Sequence, residues 1–164
     1  MSTVITGLFE NVSQATIAIY RLEALGIHES DISIVANDSY TKEDFAVDEG
    51  TKAAEGGIVG AASGGILAAI IGGFTAVGTV ASGGAGLLVA GPLVAAFAAG
   101  GAGAAVGGTL GAAIGAFIPE HEIKYYEDAV EKGSILIGVK YDSDNKSSIE
   151  EVLNNAGASN VSKA

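Results

Sequence analysis

The chain has 164 residues, a formal net charge of −11 at pH 7 and no cysteine. This acidic balance excludes nucleic acid and anionic lipid headgroups as partners, because both bind clustered lysine and arginine. The lack of cysteine excludes disulfides, thiolate catalysis and cysteine metal sites. The opening residues, MSTVITGLFENV, have no basic segment followed by an apolar one, so no secretory signal is expected and a cytoplasmic location is predicted for the termini.

The charged residues are distributed unevenly along the chain. Residues 56–119 contain no Asp, Glu, Lys or Arg, and they hold 19 of the 25 glycines. The sequence therefore divides into three parts. Residues 1–50 begin a charged frame and end in an acidic linker, residues 51–118 form a Gly/Ala-rich insert, and residues 119–164 complete the frame.

The N-terminal part has the pattern of a β-α-β unit. Residues 3–9 are a β-rich run, residues 13–25 have apolar positions at helical spacing, and residues 31–35 alternate like a strand. Ser13 is the expected N-cap of the helix, and Gly26 is its expected stop. The predicted buried face of this helix consists of Ala15, Ala18, Ile19, Leu22 and Leu25.

Residues 37–52 are interpreted as a solvated acidic linker, since Glu43, Asp44, Asp48 and Glu49 lack the spacing of a calcium-binding loop. The insert that follows is predicted to be a helical hairpin. Its first helix runs from about residue 51 to 77, a Gly/Ser-rich turn covers residues 78–91, and Pro92 begins a second helix that ends near residue 118. About 26 residues per helix give a length of about 39 Å, enough to cross a bilayer.

Both predicted helices carry rows of small residues four positions apart, a pattern typical of helices that pack closely in lipid. Each glycine costs a helix up to about 1 kcal/mol relative to alanine, so these helices need contact with other helices or a lipid environment. Two environments stay open, a membrane and the interior of a soluble oligomer. The candidate self-association residues of this glycine zipper are Gly56, Gly57, Gly60, Gly64, Gly65, Gly73, Gly103, Gly107, Gly111 and Gly115.

The C-terminal part predicts a second β-α-β unit. A short amphipathic helix (EHEIKYYEDAVEKG) ends at Gly133, and a strand (134–141), a helix (147–157) and a short last strand follow. Tyr125 and Tyr126 suit either a bilayer interface or packing of the short helix on the sheet. Gly7 and Gly138, like Leu22 and Leu153, are 131 positions apart, which indicates an internal repeat.

Two β-α-β units predict an α+β fold, a ferredoxin-like βαββαβ frame with the Gly/Ala-rich hairpin inserted between its second and third strands. Both faces of the third strand are apolar, and two helices can cover only one of them. The other face therefore needs a cover, either a partner subunit or the insert itself.

The sequence offers little catalytic chemistry. His28 and His121 lie in separate polar segments, and neither has a second histidine at metal-ligand spacing. No nucleophile with a nearby base and no phosphate-binding glycine loop is found. We therefore expect no catalytic residue, no metal and no cofactor, and we expect the protein not to be an enzyme.

Three segments carry a resemblance to a known family: LEALGIHESDISIV, VAGPLVAAFAAGGAGAAVGG and GAFIPEHEIKYYEDAVEKGSILIGV. Together with the order of the elements, they resemble the bacterial general stress protein family, of the 17M-like or heat-induced stress protein type. The resemblance extends over nearly the full chain. It implies a role in the response to stresses such as heat, cold, salt or oxidants, and it implies no catalytic residues.

Three functions follow as hypotheses. The first is a non-enzymatic stress-response protein that self-associates through its glycine rows in or on the inner membrane, with the frame in the cytoplasm. The second is a soluble self-assembling protein whose hairpins are buried in the oligomer. The third is a small-ligand sensor, which rests on analogy with other ferredoxin-like domains alone.

Overall fold

The computed structural model describes residues 3–37, 39–45, 80–82, 85–91 and 120–163. The predicted helices at 51–77 and 92–118, and with them every glycine of the predicted packing rows, lie outside the described residues. The described elements, in chain order, are β1 (Thr3–Phe9), α1 (Val12–Ala24), a 3-10 helix (Glu29–Asp31), β2 (Ile32–Asn37), α2 (Lys42–Phe45), β3 (Val80–Ser82), β4 (Ala85–Ala90), α3 (Glu120–Glu131), β5 (Ile135–Tyr141), α4 (Lys146–Asn155) and β6 (Asn160–Lys163).

The described strands form a single sheet in the order β3-β4-β2-β5-β1-β6, and every neighbouring pair is antiparallel. Its centre is the β1–β5 ladder, which is paired from Thr3↔Tyr141 to Phe9↔Ile135. The predicted combination of helices with an antiparallel sheet is therefore confirmed. All four strands predicted for the frame are present, within one or two residues of their predicted bounds.

One face of the sheet, the helix face, packs against α1 and α4. The apolar positions predicted for the two helices supply their side of the core, and alternate residues of the central strands supply the other side. The fully buried residues of this core are Ile5, Phe9, Ala15, Ala18, Ile19, Leu22, Ile32, Ile34, Ala36, Phe45, Ala90, Ile135, Ile137, Val139, Ile149 and Leu153.

Two details of α1 differ from the prediction. The N-cap is Asn11, whose side-chain Oδ1 accepts the backbone N–H of Gln14 at 3.0 Å. Ser13 was the wrong choice because the helix begins one residue earlier, at Val12, which places Ser13 within the first turn. Leu25 is 46% exposed because it is the C-cap residue, where the helical spacing that buries Leu22 no longer applies.

The predicted glycine stops of α1 and α4 are confirmed. Gly26 and Gly157 have φ values of +82° and +94°. In each case the N–H two residues after the C-cap returns to the helix, from Ile27 to the Leu22 carbonyl and from Ala158 to the Leu153 carbonyl, both at 3.1 Å. This Schellman arrangement satisfies carbonyls that a helix end leaves unpaired.

The predicted repeat at a constant offset of 131 holds at these helix ends and is wrong in the strands. Gly7 pairs across the ladder with Ile137, on the helix face, whereas Gly138 pairs with Thr6, on the opposite face. The two glycines therefore point to opposite sides of the sheet. Shifting a strand by one residue turns every side chain to the other face, so a match by sequence offset does not make strand positions equivalent.

The stretch at residues 78–91, predicted to be the turn of the helical hairpin, instead contains β3 and β4. They pair with each other from Val80↔Leu87 to Ser82↔Ala85, and β4 pairs with β2 from Ile34↔Ala90 to Asn37↔Leu87. A part of the predicted insert thus extends the sheet of the frame. The turn prediction was wrong because it rested on the glycines and Ser82 and disregarded the short apolar run LLVA.

Candidate functional site

The most distinctive polar chemistry in the described chain lies on the second face of the sheet, opposite α1 and α4. Its apolar members Val4, Leu8, Val35 and Leu136 are at most 4% exposed. Helix α3 lies against this face through contacts with β2 and β5. The second face is therefore buried within a single chain, and α3, which follows the insert, forms part of its cover.

Tyr126 of α3 reaches a group of hydroxyls at the β1–β6 side of this face. It is fully buried, and its hydroxyl forms no hydrogen bond within the described structure. Burial raises the pKa of Tyr126 above its ordinary value of 10.0; the Thr6 and Ser162 hydroxyls oppose that rise, and the Glu122 carboxylate adds to it. Those two hydroxyls are close enough to influence the pKa of Tyr126 but lack hydrogen-bond geometry with it.

The neighbours of Tyr126 are paired among themselves. Ser162 Oγ donates to Glu122 Oε2 at 3.1 Å, which connects β6 to the first turn of α3. Thr6 Oγ1 approaches the Ser162 carbonyl at 3.4 Å, across the β1–β6 ladder. The Ser162–Glu122 hydrogen bond thus holds the first turn of α3 over the β1–β6 side of the sheet.

Of the two tyrosines considered for a bilayer interface, Tyr126 packs on the sheet and confirms the packing alternative. Tyr125 is 51% exposed and contacts Tyr126 edge to face, with ring centroids 5.4 Å apart. Helical geometry explains the difference, because consecutive residues on a helix point about 100° apart.

The other end of α3 is held by the segment that follows β2. Asn37 is 8% exposed, and its Nδ2 donates to the carbonyls of Val130 and Glu131 at 3.2 and 3.3 Å. The Tyr40 hydroxyl donates to the Gly133 carbonyl. These donors reach carbonyls at a helix end, where several lack a partner within the helix. Asn37 and Tyr40 thus fasten α3 to the sheet.

In the described part of the predicted acidic linker, Asp44 is exposed as expected, but the segment is folded and packs on the frame. Asp44 Oδ2 accepts both the backbone N–H and the hydroxyl of Thr41, and the first of these bonds is one half of a capping box at the start of α2. Phe45 is fully buried and packs edge to face on Tyr40, with ring centroids 5.8 Å apart. Asp48 and Glu49 lie outside the described residues.

The folding of the segment that follows β2 was not predicted, although signals for it exist in the sequence. The spacing T-x-x-D at Thr41 and Asp44 is that of a capping box, and the aromatic residues Tyr40 and Phe45 on either side of it are typical of a packed segment rather than a linker. Nothing in the local sequence shows that Asn37 meets α3, because 93 positions separate Asn37 from Val130.

The chemistry of the second face is that of hydrogen bonding and packing. A tyrosine with a raised pKa stays protonated at neutral pH, so Tyr126 is not poised as a base or nucleophile. His28 is exposed, as is His121, whose Nε2 lies 3.8 Å from Glu122 Oε1. In the described ranges, no three His, Asp or Glu side chains are placed to hold a metal ion.

Among residues 3–37, 39–45, 80–82, 85–91 and 120–163, no helix combines the length and apolar character needed to cross a membrane. A scan against protein-family models finds no match, and searches of curated proteins and of solved structures find no significant match either.

Proposed function

We propose that this chain is a non-enzymatic stress-response protein that associates with copies of itself through its Gly/Ala-rich segments. Its described part would serve as a ferredoxin-like frame that carries these segments. The strand order β2-β5-β1-β6 supports the assignment, because it is the ferredoxin-like order when β3 and β4 are regarded as additions beside β2. The stress-response role rests on the resemblance in the sequence.

One observation carries the proposal: every described element that borders the Gly/Ala-rich segments is anchored on the frame. Phe45 precedes the first segment and is fully buried, and Ala90 of β4 lies between the two segments and is fully buried as well. Helix α3 follows the second segment, and Tyr126 and Asn37 fix it to the sheet.

The polar groups of the frame support a structural role. Asn11 and Asp44 cap helices, and Asn37 and Tyr40 bind the end of α3. Because both faces of the described sheet are buried within one chain, self-association is assigned to the uncharged residues 56–119.

The proposal is tested by the mass of the particle in solution. Wild-type protein should form an oligomer in size-exclusion chromatography with light scattering, and the double substitution Gly107→Leu and Gly111→Leu should reduce its mass. A matched control, Ala105→Leu with Ala113→Leu, adds the same kind of bulk about half a helical turn away and should preserve the oligomer. A monomeric wild-type protein, or equal effects of the two pairs, would refute the zipper.

Vesicle flotation then separates the two environments that the sequence leaves open. In a membrane setting the protein rises with vesicles, and the Gly107/Gly111 leucine variant loses its oligomeric mass in the lipid-bound fraction. In a soluble setting the oligomer forms without lipid or detergent and stays at the bottom of the gradient.

A further inference from the structure

We infer that the β3–β4 hairpin is an internal tether that keeps the middle of the Gly/Ala-rich region on the same side of any membrane as the frame. The inference rests on the pairing of β4 with β2 and is independent of whether the protein self-associates.

The contact between β4 and β2 is specific. The two strands pair over four consecutive positions, and Ala90 is fully buried in the core of the helix face. Directly after β4, Gly91 has a φ of +87°, and a Cβ at this residue would lie 2.1 Å from the Ile32 carbonyl oxygen and 2.8 Å from Ser33 Cα. Only glycine allows the chain to leave the sheet this close to the β2 backbone.

This contact divides the region into two segments that each start and end on the frame. Residues 46–79 follow the buried Phe45 and precede β3, and residues 92–119 follow Gly91 and precede α3. Neighbouring strands are about 4.8 Å apart, whereas the hydrocarbon core of a bilayer is about 30 Å thick. A segment that crossed a bilayer once would therefore separate β4 from β2.

With β4 in place, the predicted transmembrane hairpin is excluded in its simple form, which has one crossing per helix and the turn on the far side. Either segment can meet a bilayer only by entering and leaving on the side of the frame. If the two segments pack against protein instead, they do not have to enter and leave a bilayer at all. The tether therefore favours contacts of the two segments with each other or with a second copy of the chain.

A designed disulfide tests the tether, and the absence of native cysteine makes the result unambiguous. Ala36 and Leu88 are directly paired across β2 and β4, so the double variant Ala36→Cys and Leu88→Cys should form an intramolecular disulfide under mild oxidation, both with and without lipid vesicles. The control Ala36→Cys with Ala85→Cys places the second cysteine three residues along β4, beyond the positions that pair with β2, and should remain reduced. Failure to form the bond, or a bond between two chains, would overturn the inference.

Membrane sidedness gives a second readout on two single variants, Ser82→Cys at the end of β3 and Ser148→Cys on the exposed surface of α4. In sealed vesicles, a membrane-impermeant maleimide should label each cysteine to the same fraction before and after the vesicles are opened with detergent. Labelling of Ser82→Cys that increases several-fold on opening the vesicles with detergent, while that of Ser148→Cys does not, would place the hairpin on the far side and contradict the tether. Loss of self-association alone would leave both readouts unchanged.

Discussion

The two β-α-β units of the frame are built alike up to their outer strands and differ there. In each unit a central strand leads to a helix that ends in a Schellman glycine, and an outer strand follows. The outer edge of β2 is occupied by β4, whereas β6 is the last of the described strands on its side of the sheet. The difference shows where the insert is attached: the extra strands continue the sheet at the unit from which the Gly/Ala-rich region departs.

The helices of the two units differ in the same direction. Helix α1 exposes Ile17 and Tyr20, which are 44% and 41% exposed, whereas α4 has Ser148 and Glu151 at the corresponding positions. The connection from helix to outer strand also differs. It spans residues 25–31 in the first unit, including the 3-10 helix, and residues 156–159 in the second. The first unit is thus the more elaborate of the two.

The largest expected loss of stability comes from the buried leucine that the two units have in common. Leu22→Ala and Leu153→Ala each remove a fully buried side chain at the same position of a corresponding helix. Each should lower the free energy of unfolding by about 2–5 kcal/mol, measured by urea denaturation, because the side chain is lost and a cavity remains. A loss below about 1 kcal/mol for one of the two would show that its helix is not part of the common core.

The glycine stops should show a smaller effect. Gly26→Ala and Gly157→Ala force an L-residue into a left-handed conformation, which should cost about 1–2 kcal/mol each. The control is Gly138→Ala, since Gly138 lies within a strand and a Cβ there meets its nearest neighbour, Val4 Cγ1, at an ordinary 3.6 Å. Equal destabilisation by the control would contradict the assignment of these glycines as helix stops.

The two units should also differ in how much the side chain at the start of their helix stabilises the protein, by about 1 kcal/mol. Asn11 caps α1, whereas α4 has no side-chain cap and Asn145 Oδ1 accepts the Asp142 N–H in the preceding turn. Asn11→Ala should therefore destabilise the protein by about 1 kcal/mol and Asn145→Ala by less, on the same urea scale. Ser13→Ala should be near neutral, and a Ser13 effect larger than that of Asn11 would restore the original N-cap prediction.

The smallest effect concerns α3, which crosses the second face and joins the units. Because the Tyr126 hydroxyl is buried without a hydrogen bond, Tyr126→Phe should leave stability at neutral pH unchanged or raise it by up to about 1 kcal/mol. A loss of more than about 1 kcal/mol would instead mean that this hydroxyl is hydrogen-bonded in solution.

The pH dependence of the same variant provides a second check. The pKa of Tyr126 is raised in the folded protein, so its contribution to stability is complete below 10.0, the ordinary tyrosine value. That contribution is lost as the pH rises through the higher pKa of the folded state. As the pH rises above about 10, the Tyr126→Phe variant should therefore lose less stability than wild type. The pKa of Tyr20 is also raised, by burial and by Glu23, but Tyr20 is present in both proteins and adds the same pH dependence to each.

The frame could be predicted from the sequence because its elements are periodic and locally terminated. The helical spacing of apolar residues within each helix, such as Ile149 and Leu153 in α4, and the glycine that follows each helix carry enough local information to place α1, α3 and α4. The four frame strands are apolar runs bounded by turn residues, so their positions also follow. The sequence does not show, however, which positions of the two units are equivalent. Gly7 and Gly138 illustrate this, because an offset in the sequence gives no information about which face of the sheet a residue occupies.

The tether and the second-face site depend on long-range contacts and could be found only in part. The dipeptide Gly83-Gly84, with short β-capable runs on both sides, is a hairpin signal that outweighs the turn interpretation of residues 78–91. No local pattern, however, indicates that β4 pairs with β2 or that Asn37 binds the end of α3. Such contacts are set by the fold as a whole.

Amide hydrogen exchange tests the central claim most directly, because it compares β2 with β6 in the unmodified protein. A strand with neighbours on both sides has every amide hydrogen-bonded, whereas an edge strand leaves alternate amides to solvent. The account predicts slow exchange at Ile34 and Val35, which pair with β5 on one side and with β4 on the other, and for β6 slow exchange only at the amides that face β1. If alternate amides of β2 exchanged as fast as the outward amides of β6, β4 would not occupy this edge and the tether would be wrong.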